Sequence, residues 1–331
     1  MNENRTNDYR NRKNQRFLII LLILFILGLI FASFSGRDRN ENNYTSLDGN
    51  IYADGENGEG YANIENINIH SYAVLNEATT EVLVSFLDVG QGDSILIQTE
   101  NNVVLIDASW DRYSYRIIEY LGKYDIEFID VVIATHPHAD HIGGFPAVFE
   151  VFEVGTVYKP IAQHTTLTYF NFIESIIGND IPISIISAGY EFELDGVIFS
   201  VVAPNSEGHG NLNNYSVVLH MQHYDVSFLF AGDAEVFSEV EMLLKDRHMA
   251  ADVLKVGHHG SRTSTTPSFL KAVDPTYAVI QVGRGNQYGH PHNVVIDLLY
   301  DFGVVVYRTD IHGTVQMVSD GISIWTRTER R

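Results

Sequence analysis

Three histidines and one aspartate lie within six residues of the chain, directly after the apolar segment DVVIA. The local sequence is THPHADHIGG (residues 135–144), with His136, His138, Asp140 and His141 in the spacing H-x-H-x-D-H. Imidazole nitrogens and carboxylate oxygens are ligands for borderline divalent metals, and the chain has no cysteine that could compete for them. The pattern therefore predicts a metal site at the end of a strand, in preference to a surface histidine cluster or a polar helix cap.

Short β-branched segments alternate with helical segments from Glu81 onwards. VLVSFLDVG, DSILIQT and NVVLIDA are typical of an antiparallel meander of three strands broken by Gly or Asn turns. Further strands are predicted for DVVIAT, VIFSVVA, SVVLHMQ, VSFLFAG, DVLKVG, YAVIQVG and VVVYRT. Helices are predicted near residues 113–124, 145–152, 235–247, 267–273 and 292–302. This order indicates an α/β protein with two sheets, each covered by helices.

An uninterrupted apolar stretch, FLIILLILFILGLIFASF, occupies residues 17–34 and follows a basic tip of residues 1–16. As a helix it would span about 27 Å, close to the ~30 Å of a bilayer core, which predicts a single transmembrane signal-anchor. The positive-inside rule keeps the tip in the cytoplasm and places the remainder on the extracytoplasmic side of the cell membrane. The alternative is a cleaved signal peptide, whose apolar region usually has about 7–15 residues, and the protein would then be secreted.

Residues 35–80 are rich in Asn, Gly and Glu, which is typical of a flexible polar linker, and residues 81–331 are predicted to form the globular domain. The formal net charge is −21, and beyond the basic tip 16 basic residues face 40 acidic ones, a balance of −24. This composition argues against binding nucleic acid through a broad basic surface. It does not exclude a nuclease whose positive charge comes from bound metal.

The histidine loop and four further segments resemble the metallo-β-lactamase superfamily, and within it the hydrolase domain of ComEC-type competence (DNA-uptake) proteins. The four segments are FLDVGQGDS (residues 86–94), FAGDAE (230–235), KVGHHGS (255–261) and YGHP (288–291). The resemblance covers about residues 82–325. No part of the chain matches the polytopic channel of the ComEC-type proteins. The resemblance implies a four-layer αββα sandwich, with a metal site where loops from both sheets converge.

The same resemblance implies two divalent ions, Zn²⁺ or Mn²⁺, and a set of ligands. His136 and His138 match one metal site, Asp140 and His141 match the other, and Asp233 matches the carboxylate that can bridge them. The final histidine ligand matches His258, with its neighbour His259 as the competitor for that role. Asp107 matches an aspartate that does not bind metal but orients a ligand histidine through a hydrogen bond to its other ring nitrogen.

One position departs from the superfamily pattern. Many members carry a further histidine just before the strand that here reads SVVLHMQ, whereas this chain has Asn213 and Asn214. His209 could take the place of this histidine if its loop folds inward. We favour asparagine at the position, which leaves coordination open to solvent, with His209 as a residue of a glycine-flanked loop. Asn214 and Ser261 are then candidate substrate contacts.

The resemblance implies hydrolysis by a metal-bound hydroxide that attacks phosphorus or a carbonyl carbon. Asp140 could also orient this hydroxide, and His290 could donate a proton to the leaving group or contact a phosphate, although a turn residue is the alternative for His290. For Asp88 and Asp93 the residue types favour a simple hairpin over a place at the rim of the site.

We expect a phosphodiesterase, most simply a nuclease acting on DNA. One alternative is a hydrolase of small esters, lactones or β-lactams on the same metal centre. The other is a non-catalytic surface protein with a structural metal.

Overall fold

Fifteen strands of the described residues form two β-sheets that pack face to face. The structure, a computed structural model, describes residues 80–330. The strands are β1 (Val82–Phe86), β2 (Ile95–Gln98), β3 (Val103–Ile106), β4 (Phe128–Ile133), β5 (Glu153–Lys159), β6 (Ile183–Ile185), β7 (Glu191–Leu194), β8 (Val197–Ala203), β9 (Val218–His223), β10 (Val226–Phe230), β11 (Val253–Lys255), β12 (Tyr277–Ile280), β13 (Val305–Arg308), β14 (Val315–Ser319) and β15 (Ile324–Thr328).

The first sheet has the order β15-β14-β1-β2-β3-β4-β5-β6, and the second has the order β13-β12-β11-β10-β9-β8-β7. Both sheets are mixed. Strands β3 to β6 are parallel to one another, as are strands β10 to β13, and every other neighbouring pair is antiparallel.

Helices connect the strands and cover the outer face of each sheet. In the described part of the chain they are α1 (Ser114–Lys123), α2 (Ala139–Ile142), α3 (Phe145–Val151), α4 (Leu167–Gly178), α5 (Val236–Leu244), α6 (Pro267–Val273), α7 (Asn293–Asp301) and α8 (Thr309–His312). Three short 3₁₀ turns lie at Asp111–Tyr113, Leu212–Tyr215 and Gly257–Gly260.

Three apolar clusters separate these layers, and strand periodicity explains them. On β4, Val131 and Ile133 belong to the cluster between the sheets, whereas Val132 belongs to the cluster beneath α1, α3 and α4. A third cluster packs the second sheet against α5, α6 and α7. Alternate side chains of a strand point to opposite faces, so a strand covered on both faces is apolar throughout. The expected α/β sandwich of two sheets, each covered by helices, is confirmed for residues 80–330.

The sequence patterns missed five strands and one long helix. Strands β5, β6, β7, β14 and β15 carry polar or exposed residues, and all three residues of β6 are exposed, so the apolar signal is weak. Helix α4 has the sequence LTYFNFIESIIG, in which apolar residues surround the axis and blur the periodicity of a helix covered on one side.

The predicted transmembrane segment of residues 17–34 lies outside the described residues, as do the basic tip and almost all of the linker. Within residues 80–330, no helix combines the length and the apolar character that crossing a membrane requires. Anchoring and topology therefore stay predictions.

The topology brings the chemistry-bearing loops to one edge of the sandwich. Asp107 and His136 follow the parallel neighbours β3 and β4, and Asp233 and His259 follow the parallel neighbours β10 and β11. Because the carboxyl ends of parallel strands meet at one edge of a sheet, residues far apart in sequence become neighbours there.

Candidate metal centre

The loop after β4 turns its imidazoles into the protein. His136 and His141 are buried, and their ring centroids are 4.1 Å apart. The Nε2 atom of His136 lies 3.0 Å from Nδ1 of His138. Helix α2 begins inside this loop, so that His138 precedes the helix and His141 lies within it. One short turn therefore presents several ligand side chains to the same space.

Gly92 allows the loop between β1 and β2 to reach this turn. A Cβ atom at Gly92 would lie only 2.4 Å from the carbonyl oxygen of Asp140, and its φ of +128° is one that other residues rarely adopt. The neighbouring amide of Asp93 donates a hydrogen bond to that same oxygen over 3.2 Å. The segment GQGD thus approaches the histidine loop at backbone contact distance.

Asp140, His141, Asp233 and His259 form a group of four metal-ligating side chains. One ligand atom from each lies within 4.8 Å of the others. The Oδ2 atom of Asp233 is 3.2 Å from Nε2 of His141 and 3.5 Å from Nε2 of His259. The latter atom is also 3.5 Å from Oδ2 of Asp140. Both sheets contribute, because Asp140 and His141 follow β4 whereas Asp233 and His259 follow β10 and β11.

Hydrogen bonds behind the group set the orientation of its two histidines. Nδ1 of His141 lies 2.7 Å from Oδ2 of Asp107, and Nδ1 of His259 lies 2.9 Å from the carbonyl oxygen of Gln281. A carbonyl oxygen can only accept, so His259 carries its proton on Nδ1. Both rings therefore present Nε2 to the group, which is the arrangement that outer partners impose on metal-binding histidines.

The atoms that face one another are short of partners. Within the described part of the chain, Nε2 of His141, Nε2 of His259 and Oδ1 of Asp233 are buried and make no hydrogen bond. Buried polar atoms are nearly always paired, so each one requires an explanation. A divalent cation would satisfy all three, and a set of nitrogen and oxygen donors suits Zn²⁺ or Mn²⁺. The residues present therefore fit a metal ion.

Electrostatics inside the group follow from burial and from close opposite charges. Burial lowers the pKa of His136 well below its usual range, which keeps this imidazole neutral and able to bind metal. Burial also opposes charge on His259, but the carboxylates of Asp233 and Asp93 outweigh it and raise the pKa of His259 to about 10. Asp233 and Asp107 raise the pKa of His141 in the same way.

We expect metal binding to release protons and to weaken as the pH falls. The pKa of His259 is about 10 and that of His141 is raised well above its usual range, so both rings carry an additional proton near pH 7 when no cation is present, whereas coordination requires the neutral imidazole. Affinity should therefore drop about tenfold per pH unit for each displaced proton. Isothermal titration of Mn²⁺ or Zn²⁺ between pH 6 and pH 8, in buffers of different ionisation enthalpy, measures both effects. Affinity independent of pH without proton release would contradict the expectation.

The histidine pair after β11 differs from the expectation that the resemblance gives. His258 was expected as the ligand with His259 as its competitor, but the four-residue group contains His259. Both residues have positive φ, 48° and 54°, and this left-handed turn directs His259 inward. His258 stays 23% exposed, with Nδ1 3.2 Å from Oε1 of Glu235 and Nε2 3.7 Å from Oδ2 of Asp233.

A cavity of about 360 Å³ opens above the group. Its lining includes His138, Asp140, Asp233, His258, His259 and His290, together with Trp110, His164 and Tyr288. Burial and the neighbouring charges of His259 and His258 lower the pKa of His290 to about 4, so this ring is neutral near pH 7.

Three candidates from the sequence lie outside the lining of this cavity. Asn214 accepts hydrogen bonds from the amides of Glu235 and Ser238 at the start of α5, and it therefore supports a helix end. Ser261 lies 3.0 Å from the hydroxyl of Thr263. His209 packs against aromatic rings, with its ring centroid 4.7 Å from that of Tyr215. In place of Asn214, the structure brings Asn213 to the cavity.

Sequence reasoning assigned no role to several residues that the structure places here. Asp93, for which a hairpin was favoured, is buried 3.3 Å from Nδ1 of His259. The carbonyl oxygen of Gln281 accepts a hydrogen bond from His259, and the carboxylate of Glu235 pairs with His258. Asp93, Glu235 and Lys255 all lie in the segments that carry the family resemblance, which is the signal that could have found them.

Comparison with known proteins agrees with the family resemblance of the sequence motifs. The sequence profile of the metallo-beta-lactamase superfamily matches residues 87–284. ComE operon protein 3 of Bacillus subtilis (strain 168) is 30% identical over 256 residues, which cover 72% of this chain and 33% of that protein. Competence protein ComA of Neisseria gonorrhoeae is 30% identical over 238 residues, covering 71% and 32% respectively. The chain thus spans about a third of the length of these relatives.

Among solved structures, CmlA, a diiron beta-hydroxylase from Streptomyces venezuelae, superposes with a TM-score of 0.50 at 15% identity. The match covers 77% of this chain and 55% of CmlA. At this level of identity the likeness concerns the fold alone.

Proposed function

We propose that this chain, which belongs to the metallo-beta-lactamase superfamily, is a hydrolase that cleaves phosphodiesters, with DNA as the favoured substrate and two divalent ions, Zn²⁺ or Mn²⁺, as cofactors. The observation that carries the proposal is the position of the donor group at the floor of an open cavity that His258 and His290 also line. Similarity to a relative named as a competence protein, together with the resemblance to the hydrolase domain of DNA-uptake proteins, supports DNA over a small ester.

Asp140, His141, Asp233 and His259 would hold one ion, and His136 and His138 would contribute to the second, with Asp233 between them. Bound divalent metals lower the pKa of water and stabilise the negative charge that develops on phosphate oxygens. Burial opposes ionisation of Asp140, but the adjacent ring of His259 and the charge of His141 hold the pKa of Asp140 below its usual range. An ionised Asp140 on the cavity floor can accept a proton from the attacking water.

His258 and His290 line the wall beside this floor, with their ring centroids 5.5 Å apart. Glu235 fixes Nδ1 of His258, so that Nε2 is the nitrogen available towards the cavity. His290, neutral near pH 7, can donate one N–H hydrogen bond to a phosphate oxygen or to the leaving group. These two rings would thus orient the phosphodiester and assist departure of the alcohol.

A positively charged side chain lies beside the cavity lining, although the net charge of the chain is negative. The guanidinium of Arg112 lies over the indole of Trp110, 4.9 Å from the ring centroid, and Trp110 lines the cavity. A cation beside an aromatic face suits a phosphate next to a nucleobase, because every base can stack on an indole. DNA would then be bound through a few contacts near the scissile bond, and a broad basic surface would not be needed.

A substrate panel tests the proposal. Protein loaded with Mn²⁺ or Zn²⁺ is incubated with bis(p-nitrophenyl) phosphate, single-stranded DNA and nitrocefin. We expect cleavage of both phosphodiesters, inhibition by a chelator, and no turnover of nitrocefin. Nitrocefin turnover without phosphodiester cleavage would favour the hydrolase of small esters, lactones or β-lactams. A metal-loaded protein inert on all three would favour the non-catalytic metal-binding protein.

We further propose that the catalytic domain acts on the extracytoplasmic side of the membrane, held by residues 17–34. The support is the uncharged apolar stretch behind a basic tip. Release of the intact domain from whole cells by protease, without lysis, would agree with this topology, and protection until lysis would contradict it.

A further inference from the structure

Lys255 is a fully buried lysine directly behind the metal centre. It ends β11, and its side chain is 1% exposed. Its ammonium forms an ion pair with Oδ2 of Asp93, donates a hydrogen bond to the carbonyl oxygen of Gly232 over 2.9 Å, and lies 4.0 Å from Oδ1 of Asp233. Removing a lysine ammonium from water is unfavourable unless it is paired and hydrogen-bonded, as it is here.

The contacts of Lys255 join three segments that build the site. Asp93 belongs to the loop between β1 and β2 of the first sheet, whereas Gly232 and Asp233 form the turn after β10 of the second sheet. Lys255 itself lies four residues before the ligand candidate His259. One side chain thus links the loops that bring donors together from both sheets.

Asp93 transmits this link to the ligand histidines. Its Oδ1 atom lies 3.3 Å from Nδ1 of His259, and its Oδ2 atom lies 3.9 Å from Nδ1 of His141. The backbone of Asp93 is fixed on both sides, because its amide donates to Asp140 and its carbonyl oxygen accepts from Ser109. A displacement of the Asp93 carboxylate would therefore act on the rings of His259 and His141.

Asp93, Asp107 and His141 also form a second, inner group of potential ligands within 4.8 Å of one another. The inner group shares His141 with the outer group of Asp140, Asp233 and His259. The ammonium of Lys255 is already paired with Asp93, so a positive charge is present where a cation in the inner group would bind. The same ammonium lies farther from the outer group, which faces the cavity, because the carboxylate oxygen that it approaches there, Oδ1 of Asp233, is 4.0 Å away.

We propose that Lys255 is a positioning residue of the metal centre: its ammonium holds Asp93 beneath His259 and His141 and confines metal binding to the outer group. This inference depends on the metal centre of the proposed function but not on its substrate. It could therefore be correct even if phosphodiesters are not cleaved.

The decisive comparison separates positioning from simple charge balance. The double variant Asp93→Asn with Lys255→Met removes both buried charges together, so no unpaired ion is left in the interior. If Lys255 only neutralises the charge of Asp93, the double variant should bind metal with the affinity of the wild type. If Lys255 positions the centre, the double variant should fold and still bind metal more weakly by about 10–100-fold, as loss of an outer partner does.

Metal affinity is measured by competition with a chelator, stoichiometry by elemental analysis, and ligand geometry by the visible absorption of the Co²⁺-substituted protein. We expect weaker binding and a changed Co²⁺ spectrum in the double variant. Wild-type affinity, stoichiometry and spectrum would overturn the proposal. If this double variant does not fold, the double variant Asp93→Asn with Lys255→Gln, which is also neutral but keeps polar side chains at both positions, is measured in the same way, with the same two outcomes.

Lys159 provides the matched control. It is also a buried lysine, 5% exposed, but its ammonium donates to the carbonyl oxygens of Pro160 and Ala162. Lys159→Met should leave the affinity for metal and the Co²⁺ spectrum unchanged. Equal changes in the Lys159 variant and in the double variant would mean that any buried lysine affects the centre through the fold, and would also overturn the proposal.

Discussion

Replacing Asp140 by alanine is expected to reduce hydrolysis by roughly 10²- to 10⁴-fold while the protein remains folded. The carboxylate of Asp140 is 18% exposed on the cavity floor, and its Oδ2 atom is 3.5 Å from Nε2 of His259. The structural contact of this residue is made by its backbone oxygen, which accepts from the amide of Asp93 and survives the substitution. The loss should therefore fall on metal binding and on activation of water.

The measurement is kcat/KM on the substrate that the wild type cleaves best, with metal content and thermal unfolding determined for the same samples. Asp88→Ala is the matched control. Asp88 lies in the same segment as Asp93, but its carboxylate pairs with Arg116 and Arg330, outside the residues that line the cavity. The control should keep the wild-type rate. A wild-type rate in the Asp140 variant would exclude Asp140 from the chemistry.

The second large effect is a loss of metal affinity that we expect to differ between the two adjacent histidines after β11. His259→Ala should weaken metal binding by more than the roughly 10–100-fold that loss of an outer partner causes, because it removes a ligand candidate. His258→Ala should leave the affinity within about tenfold of the wild type and should mainly reduce the rate, because His258 contacts Glu235 and lines the cavity wall.

Chelator competition and elemental analysis of both variants provide the test, with circular dichroism as a check on folding. His259 is buried, so His259→Gln, which retains a polar side chain, is included in case the alanine variant unfolds. The opposite order, with strong metal loss in His258→Ala and little in His259→Ala, would restore the assignment that the family resemblance gives.

Local parts of the site were predictable from sequence, and parts that depend on distant packing were not. The H-x-H-x-D-H loop is visible because four ligand types occur within six residues. In contrast, His258 and His259 are adjacent and chemically identical, and only the left-handed backbone at both positions decides which ring is buried. The same holds for Asn213 and Asn214, of which one reaches the cavity and the other supports helix α5.

The burial of charged residues was likewise not predictable from the sequence. Lys255 and Asp93 are 162 positions apart, and neither has a pattern that predicts burial. Largely apolar strands, such as β4 and β10, could be predicted, because burial on both faces of a sheet favours apolar residues at most positions. Edge strands such as β6 lack that requirement and were missed.

The cavity takes its floor and its wall from different parts of the chain. The floor consists of residues at the ends of buried strands, where the backbone has little freedom. Trp110, His164 and Tyr288 of the wall lie in connections that follow β3, β5 and β12. Loops of this kind tolerate substitution and insertion far better than strand ends. The range of molecules admitted can therefore diversify among descendants of this domain while the reactive centre is inherited unchanged.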